Sequence, residues 1–158
     1  MVELDELVVL NFGQRERECL KVLIDHGVRF LLVGGYAVRF HGHLRSTTDV
    51  DVLVSNDRAN AKRLCSALIV LMGRHPKLRP EEFAGRKRQV RLFRYGYRFE
   101  ILTAADGVPF EEVYERRCQA SSSNLIVPVI AKDDLIDMKA AAGRAQDIDD
   151  VERLRNGV

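Results

Sequence analysis

The sequence predicts a single α/β domain, of the α+β kind, in which a short mixed β-sheet has helices packed on one face. Three observations predict it. The chain of 158 residues is 46% hydrophobic and 30% charged, which is the size and balance of one core. Its β-rich apolar runs, VRFLLV, DVDVLV and YRFEIL, are short. The segments around them carry apolar residues at helical spacing. Residues 1–158 therefore read as one domain.

From Asn11 to His26 the apolar residues Phe12, Cys19, Leu20, Leu23 and Ile24 recur at helical spacing, and Gly27 supplies a C-cap. Val28 to Val33 reads as a buried strand that stops at Gly34-Gly35, and a second helix covers Tyr36 to His41. Asp49 to Val54 forms the next strand. The helix after it starts from a cap at Ser55 or Asn56 and has Ala59, Leu64, Ala67, Leu68 and Leu71 among its apolar positions. A loop holding Pro76 and Pro80 follows. Gln89 to Phe93 and Tyr97 to Leu102 flank R-Y-G, which predicts a hairpin turning near Tyr95-Gly96 with Glu100 inside its second arm. Phe110 to Arg117 reads as a helix, Ser121 to Ser123 as a loop and Leu125 to Ile130 as an extended piece. Lys132 to Leu154 reads as one long amphipathic helix with Leu135, Met138, Ala142, Ala145, Ile148, Val151 and Leu154 on its apolar stripe.

The formal charge is +2, from 25 basic and 23 acidic residues, so any nucleic-acid contact must come from a local patch. The stretch GRKRQVRLFRYGYR is such a patch: Arg86, Lys87, Arg88, Arg91, Arg94 and Arg98 are interleaved with Phe93, Tyr95 and Tyr97. It reads first as a solvated hairpin, and alternatively as a surface for a phosphate backbone and stacked bases. Cys19, Cys65 and Cys118 are odd in number, widely spaced and set in helix-like segments, which predicts reduced, buried thiols. MVELDELVVL begins with acids and lacks a basic leader, and no apolar run approaches the ~20 residues of a membrane span. A cytoplasmic protein without membrane contact is the expectation.

The chemistry concentrates in D-V-D-V-L. On a strand, Asp49 and Asp51 leave the same face, where like charges repel. Hard divalent cations, magnesium or manganese, take oxygen ligands and would cancel that repulsion. Glu100, the lone acid in F-E-I-L, is the natural third carboxylate. Gly34-Gly35, a glycine turn between strand and helix, lets backbone N–H groups approach phosphate oxygens.

The glycine pair, the D-V-D thirteen residues later and the F-E-I together resemble the nucleotidyltransferase superfamily to which DNA polymerase beta belongs. The longer text is similar to its small bacterial branch of abortive-infection toxin-type and minimal nucleotidyltransferases. The matching residues are Gly34, Gly35, Ala37, Val38, His41 and Gly42, then Arg45, Thr47, Asp49 and Asp51, and finally Lys139, Ala142, Arg144, Asp147 and Asp150. This resemblance implies a nucleotidyltransferase fold over nearly the whole chain, with Gly34 and Gly35 cradling a nucleoside triphosphate. It implies that Asp49 and Asp51 hold two magnesium ions, and that Glu100 completes one metal site and helps deprotonate the acceptor. The implied reaction is transfer of a nucleoside monophosphate to a hydroxyl on a tRNA end, another RNA or a protein. A toxin-antitoxin or phage-defence setting, with a cognate toxin or antitoxin as partner, fits the size. The rival reading keeps the site but makes it a nucleotide-binding module, a sensor or partner-binding subunit with little or no turnover. Gly35 departs from the pattern, since many members carry Ser there.

Several residues keep two readings. Arg45 and Thr47 bind phosphate or acceptor, or Arg45 forms a structural ion pair. Lys139 and Arg144 bind phosphate or sit on the solvated face of their helix, with Lys139 and Asp147 on one polar face opposite the core stripe. His41 and His43 read as loop hydrogen-bonders and not as zinc ligands.

Overall fold

In the computed structural model, which describes residues 8–157, seven strands form one mixed sheet. The elements run β1 (Val8–Val9), α1 (Gln14–Asp25), β2 (Phe30–Val33), α2 (Gly34–Phe40), β3 (Val50–Val54), α3 (Arg58–Met72) and the short α4 (Pro80–Phe83). They continue with β4 (Gln89–Arg94), β5 (Tyr97–Leu102), α5 (Phe110–Glu115), β6 (Cys118–Ser122), β7 (Leu125–Val129), α6 (Lys132–Ala142) and α7 (Ala145–Asn156). The strand order is β1-β6-β7-β2-β3-β5-β4. β2 and β3 are antiparallel, whereas β3 and β5 run parallel, because β4 turns the chain back before β5 enters the sheet.

The central strands form where the sequence is apolar on both faces. Phe30, Leu31, Leu32 and Val33 are all buried, as are Val50, Val52, Leu53 and Val54, the pattern of strands covered on both sides. Helices α1 and α3 pack against each other and bury Cys19, Leu20, Leu23, Leu64 and Leu68 in the core. The β4–β5 hairpin turns at Tyr95-Gly96, both with positive φ, in the two-residue geometry that matches strand twist.

The structure corrects four expectations. The cap of α3 is Asp57 and not Ser55 or Asn56. Its carboxylate accepts the Asn60 backbone N–H at 2.8 Å and the Ser55 hydroxyl at 2.6 Å, because a charged acceptor satisfies an orphan helix donor better than a hydroxyl. Cys118–Ser122 is the strand β6 and not a helix end followed by a serine loop. Its backbone is claimed by β7 on one side and β1 on the other, so pairing overrides a composition of small polar residues. Pro80 does not lie in a loop but opens α4, where its missing N–H is no loss.

The fourth correction concerns the C-terminal helix, which is two helices. Gly143, with φ +68, caps α6 in the left-handed conformation, and the extended Arg144 restarts the chain as α7. Ala142 is exposed at the end of α6, and the break rotates the second helix so that Ala145 is exposed and Ile148 is 60% exposed. The buried side of α7 holds Asp147, Asp150, Val151 and Leu154.

Cys19, Cys65 and Cys118 are free thiols, the first two buried. Burial pushes the Cys19 thiol up to about 12. The acids of MVELDEL lie outside the described residues. Among the described residues no helix is long and apolar enough to cross a membrane.

Candidate functional site

The strand register builds a row of charged side chains. Val33 pairs with Asp51, Asp51 with Glu100, and Glu100 with Arg91. Directly opposed residues leave the same face of a sheet, so the Asp51 and Glu100 carboxylates stand side by side on strands about 4.8 Å apart. Asp51 Oδ1 is buried and has no hydrogen-bond partner. Burial, and then the neighbouring Glu100 and Asp49, push the Asp51 carboxyl up to about 7, while Lys139 pulls the other way. Glu100 accepts a hydrogen bond from Gln89 Nε2 and lies 3.8 Å from Arg91 Nε. Asp49 precedes β3 instead of sharing it. Half-exposed, Asp49 accepts the Thr48 hydroxyl at 3.2 Å and sits 3.8 Å from Arg98.

Each glycine of the pair makes room for a different neighbour. Gly34 has φ +66, and a Cβ built on it would collide with the Asp51 carboxylate. The missing side chain keeps Asp51 uncovered. A Cβ on Gly35 would come within 2.7 Å of Thr47 Cβ and also strike its hydroxyl, so Gly35 seats the loop that carries Arg45 and Thr47.

The second cluster of buried charge is satisfied. Asp150, with no exposed surface, accepts Arg45 Nε and Nη2 at 2.9 and 3.0 Å, Gln146 Nε2 at 3.0 Å and Lys139 Nζ at 2.9 Å. Asp147 accepts Arg144 Nε at 2.7 Å and Lys139 Nζ at 3.5 Å. Burial alone would raise both carboxyls. The Arg144 bond to Asp147, and the Lys139 and Arg45 bonds to Asp150, outweigh it and hold both below the usual carboxylate range.

Lys139 and Asp147 therefore do meet, but buried, not on a solvated face. Of the two readings open for Arg45, the ion pair is present, made with Asp150 across 105 residues and not with the strand acids beside it. His41 Nε2 bonds the Ile130 carbonyl at 2.7 Å, the loop role expected of it. Asp147 and Asp150 as the anchors of this network were missed as a site. The signal for them was their spacing from Lys139, read only as a polar helix face.

Among the described residues, the trio whose ligand atoms all lie within 4.8 Å of one another is His43, Asp149 and Asp150. Arg45 and Lys139 already compensate Asp150 there. The row acids differ: their oxygens are hard, crowded and, at Asp51 Oδ1, unpartnered. That donor set fits a divalent cation.

Asp51, Glu100, Val33, Leu135, Lys139 and Asp147 line one cleft of about 80 Å³. This is far below the roughly 300 Å³ of a pocket that engulfs a ligand, so an ion with its waters fits and anything larger must extend outward. Two open depressions meet the cleft at Glu100. One runs past Lys87 and Arg144, and the other past Asp49, Arg91, Phe93 and Arg98.

The profile of a family described as "Nucleotidyltransferase of unknown function (DUF6036)" matches residues 16–155. The chain belongs to this nucleotidyltransferase family. The expected superfamily and fold are thereby met. Among solved structures, a lincomycin-bound lincosamide antibiotic adenylyltransferase, LnuA, superposes with a TM-score of 0.60 at 15% identity, covering 94% of this chain and 99% of that one. An antigenic nucleotidyltransferase-like protein from Paracoccidioides brasiliensis superposes with a TM-score of 0.52 at 13% identity, covering 92% of this chain and 77% of that one. At these identities the likeness is one of fold. Among curated proteins none matches the sequence.

Proposed function

We propose that this nucleotidyltransferase-family protein transfers a nucleoside monophosphate from a nucleoside triphosphate to a hydroxyl acceptor, with Asp51 and Glu100 at the reacting centre. The observation that carries the reading is the unpartnered, buried Asp51 Oδ1 beside Glu100. A buried carboxyl oxygen left without a hydrogen-bond partner beside a second carboxylate is the kind of arrangement that functional sites keep. Asp51 and Glu100, with Asp49 at the mouth, would hold magnesium or manganese. Such an ion, when bound, neutralises charge on the triphosphate and on the attacking oxygen.

The acceptor oxygen bonds to the α-phosphorus and the α–β anhydride bond breaks. Pyrophosphate leaves with the bonding electrons, and Glu100 takes the hydroxyl proton. Gly34 keeps the Asp51 carboxylate uncovered, and the backbone of Gly34-Gly35 faces the phosphates. Lys139 presents its ammonium from the cleft floor. Arg144, exposed at the rim, can turn its free guanidinium edge to phosphate oxygens while Nε stays on Asp147. Arg45 and Thr47 act by holding the wall behind Gly35.

The acceptor is an RNA end such as that of tRNA, or a protein hydroxyl, and a cognate toxin or antitoxin is the expected partner class. The antibiotic named for LnuA adds a small molecule to the acceptor classes worth assaying. A second reading, a nucleotide-binding module with slow turnover, is favoured by one feature: Lys139 is tied into the Asp147 and Asp150 pairs. Incubation with each α-labelled nucleoside triphosphate, magnesium, and total RNA or cell protein separates the two. Label appearing covalently on an acceptor is the expected result. Label retained on the protein but never transferred would overturn catalysis in favour of the binding module.

A further inference from the structure

Beyond Glu100 the sheet runs out to its last strand, β4. The register sorts the hairpin residues by face. Arg91 opposes Glu100 and Phe93 opposes Arg98, so all four side chains stand on the carboxylate face. Val90 and Leu92 turn the other way and pack on the core. Arg94 goes with them: it reaches the end of α3 near Gly73 and lies 4.7 Å from the Tyr95 ring. Arg88 is held by Glu82 at 3.1 Å, whereas Arg91 and Arg98 stand at a looser 3.8 Å from Glu100 and Asp49. The basic stretch is thus two-sided, and only one side shares the depression that holds Asp49 and Glu100.

On that side Phe93 is 69% exposed, although it is a large apolar ring on a polar surface. The Arg98 guanidinium lies 4.9 Å from its centroid. We propose that this face of the hairpin is the docking strip for the acceptor, that the acceptor is a single-stranded nucleic acid, and that its terminal base stacks on Phe93 while Arg91 and Arg98 take phosphates. The proposal rests on the transferase reading and names its substrate class.

Two guanidiniums suit any polyanion, but the exposed ring discriminates. Base stacking on an aromatic face is favourable and tolerant of sequence. An acidic peptide added to the free edge of β4 would bind through its main chain and would not need Phe93. Stacking also requires an unpaired base, which excludes a duplex. Phe93 and Arg91 are two residues apart, about 7 Å along the strand, a span one nucleotide bridges on its way to Glu100.

The test is fluorescence anisotropy of a short labelled single-stranded RNA, and of its DNA counterpart, with the full chain in EDTA and no nucleoside triphosphate. We expect Phe93→Ala to weaken binding roughly tenfold or more. Arg91→Gln with Arg98→Gln should flatten the logarithmic salt dependence by about 1.4. Arg94→Gln, on the opposite face, should change neither. These residues are exposed, so the variants should fold, and a melting curve checks that.

Unchanged binding by Phe93→Ala would overturn the proposal. So would equal loss from Arg94→Gln, or equal binding of a duplex. Competition by polyglutamate as effective as by RNA would reassign the strip to an acidic peptide. Loss of nucleoside triphosphate affinity in Phe93→Ala, with oligonucleotide affinity intact, would reassign the ring to the incoming nucleotide. Failure of the transferase reading looks different: the oligonucleotide still binds, and no label transfers.

Discussion

The molecule buries carboxylates in two places and treats them in opposite ways. At Asp150 every oxygen is claimed, by Arg45, Gln146 and Lys139, and the carboxyl is held below its ordinary range. At Asp51, one strand register from Glu100, an oxygen has no partner and the carboxyl is pushed up to about 7. The first arrangement ties the loop after α2 to α6 and α7. The second stores repulsion that only a proton or a cation relieves. In the proposed reading the first charge holds the fold and the second serves the chemistry.

Removing an acid from each place should therefore have opposite consequences. Asp150→Ala leaves Arg45 without its carboxylate and Lys139 with only the longer Asp147 contact, and should destabilise by about 3–5 kcal/mol. For a chain of this length that is a fall on the order of 10 °C in melting temperature. Asp51→Asn removes the repulsion instead. In EDTA at pH above 7 it should stabilise the protein by about 1–2 kcal/mol in urea titrations while abolishing transfer. A loss of stability from Asp51→Asn equal to that from Asp150→Ala would erase the contrast.

The pH dependence sharpens it. Folded Asp51 keeps its proton up to about 7, whereas the unfolded chain loses it near 3.8. Between these values the folded state binds more protons, so this group's contribution is fully present below about pH 4 and is lost as pH rises through 7. Asp147 and Asp150, held low, contribute above the ordinary carboxylate value and lose that contribution as pH falls through their folded values. Subtracting the stability of Asp51→Asn from that of the parent between pH 4 and 8 should isolate a declining curve. A flat difference would remove Asp51 from the account.

Two smaller effects bound the comparison. Gly35→Ala drives a Cβ into Thr47 and should cost about 1–3 kcal/mol as overpacking, read as a lowered melting temperature. Breaking the exposed Lys21–Asp25 pair should leave the melting curve unmoved, because surface ion pairs contribute little.

How far the sequence carried the account follows the same division. β2, β3 and β5 were legible because buried strands are written in Val, Leu, Ile and Phe, and the Asp49–Asp51 pair and the lone Glu100 stood out as acids inside such runs. Their adjacency, which makes the site, needed a parallel pairing between strands that are distant in the chain. β6 was hidden because CQASS has neither alternation nor bulk, and neighbouring strands alone make it a strand. The break at Gly143 was hidden because an apolar period continues across it. The buried pairing of Lys139 was hidden, and it read as a phosphate binder or part of a solvated helix face, because Asp147 and Asp150 come within reach only after that break turns α7 back along α6. Asp49 was placed on the strand by its spacing, but the strand starts one residue later.

The most direct test of the central claim, that the Asp51–Glu100 row is built to hold a divalent cation, is manganese binding to the isolated protein. It can be followed by electron paramagnetic resonance in the parent, Asp51→Asn and Asp150→Asn. Saturable binding is expected in the parent, with loss in Asp51→Asn and retention in Asp150→Asn at temperatures where that variant is folded. Equal binding by the parent and Asp51→Asn, or loss in Asp150→Asn alone, would place the cation at the His43 cluster and contradict the account.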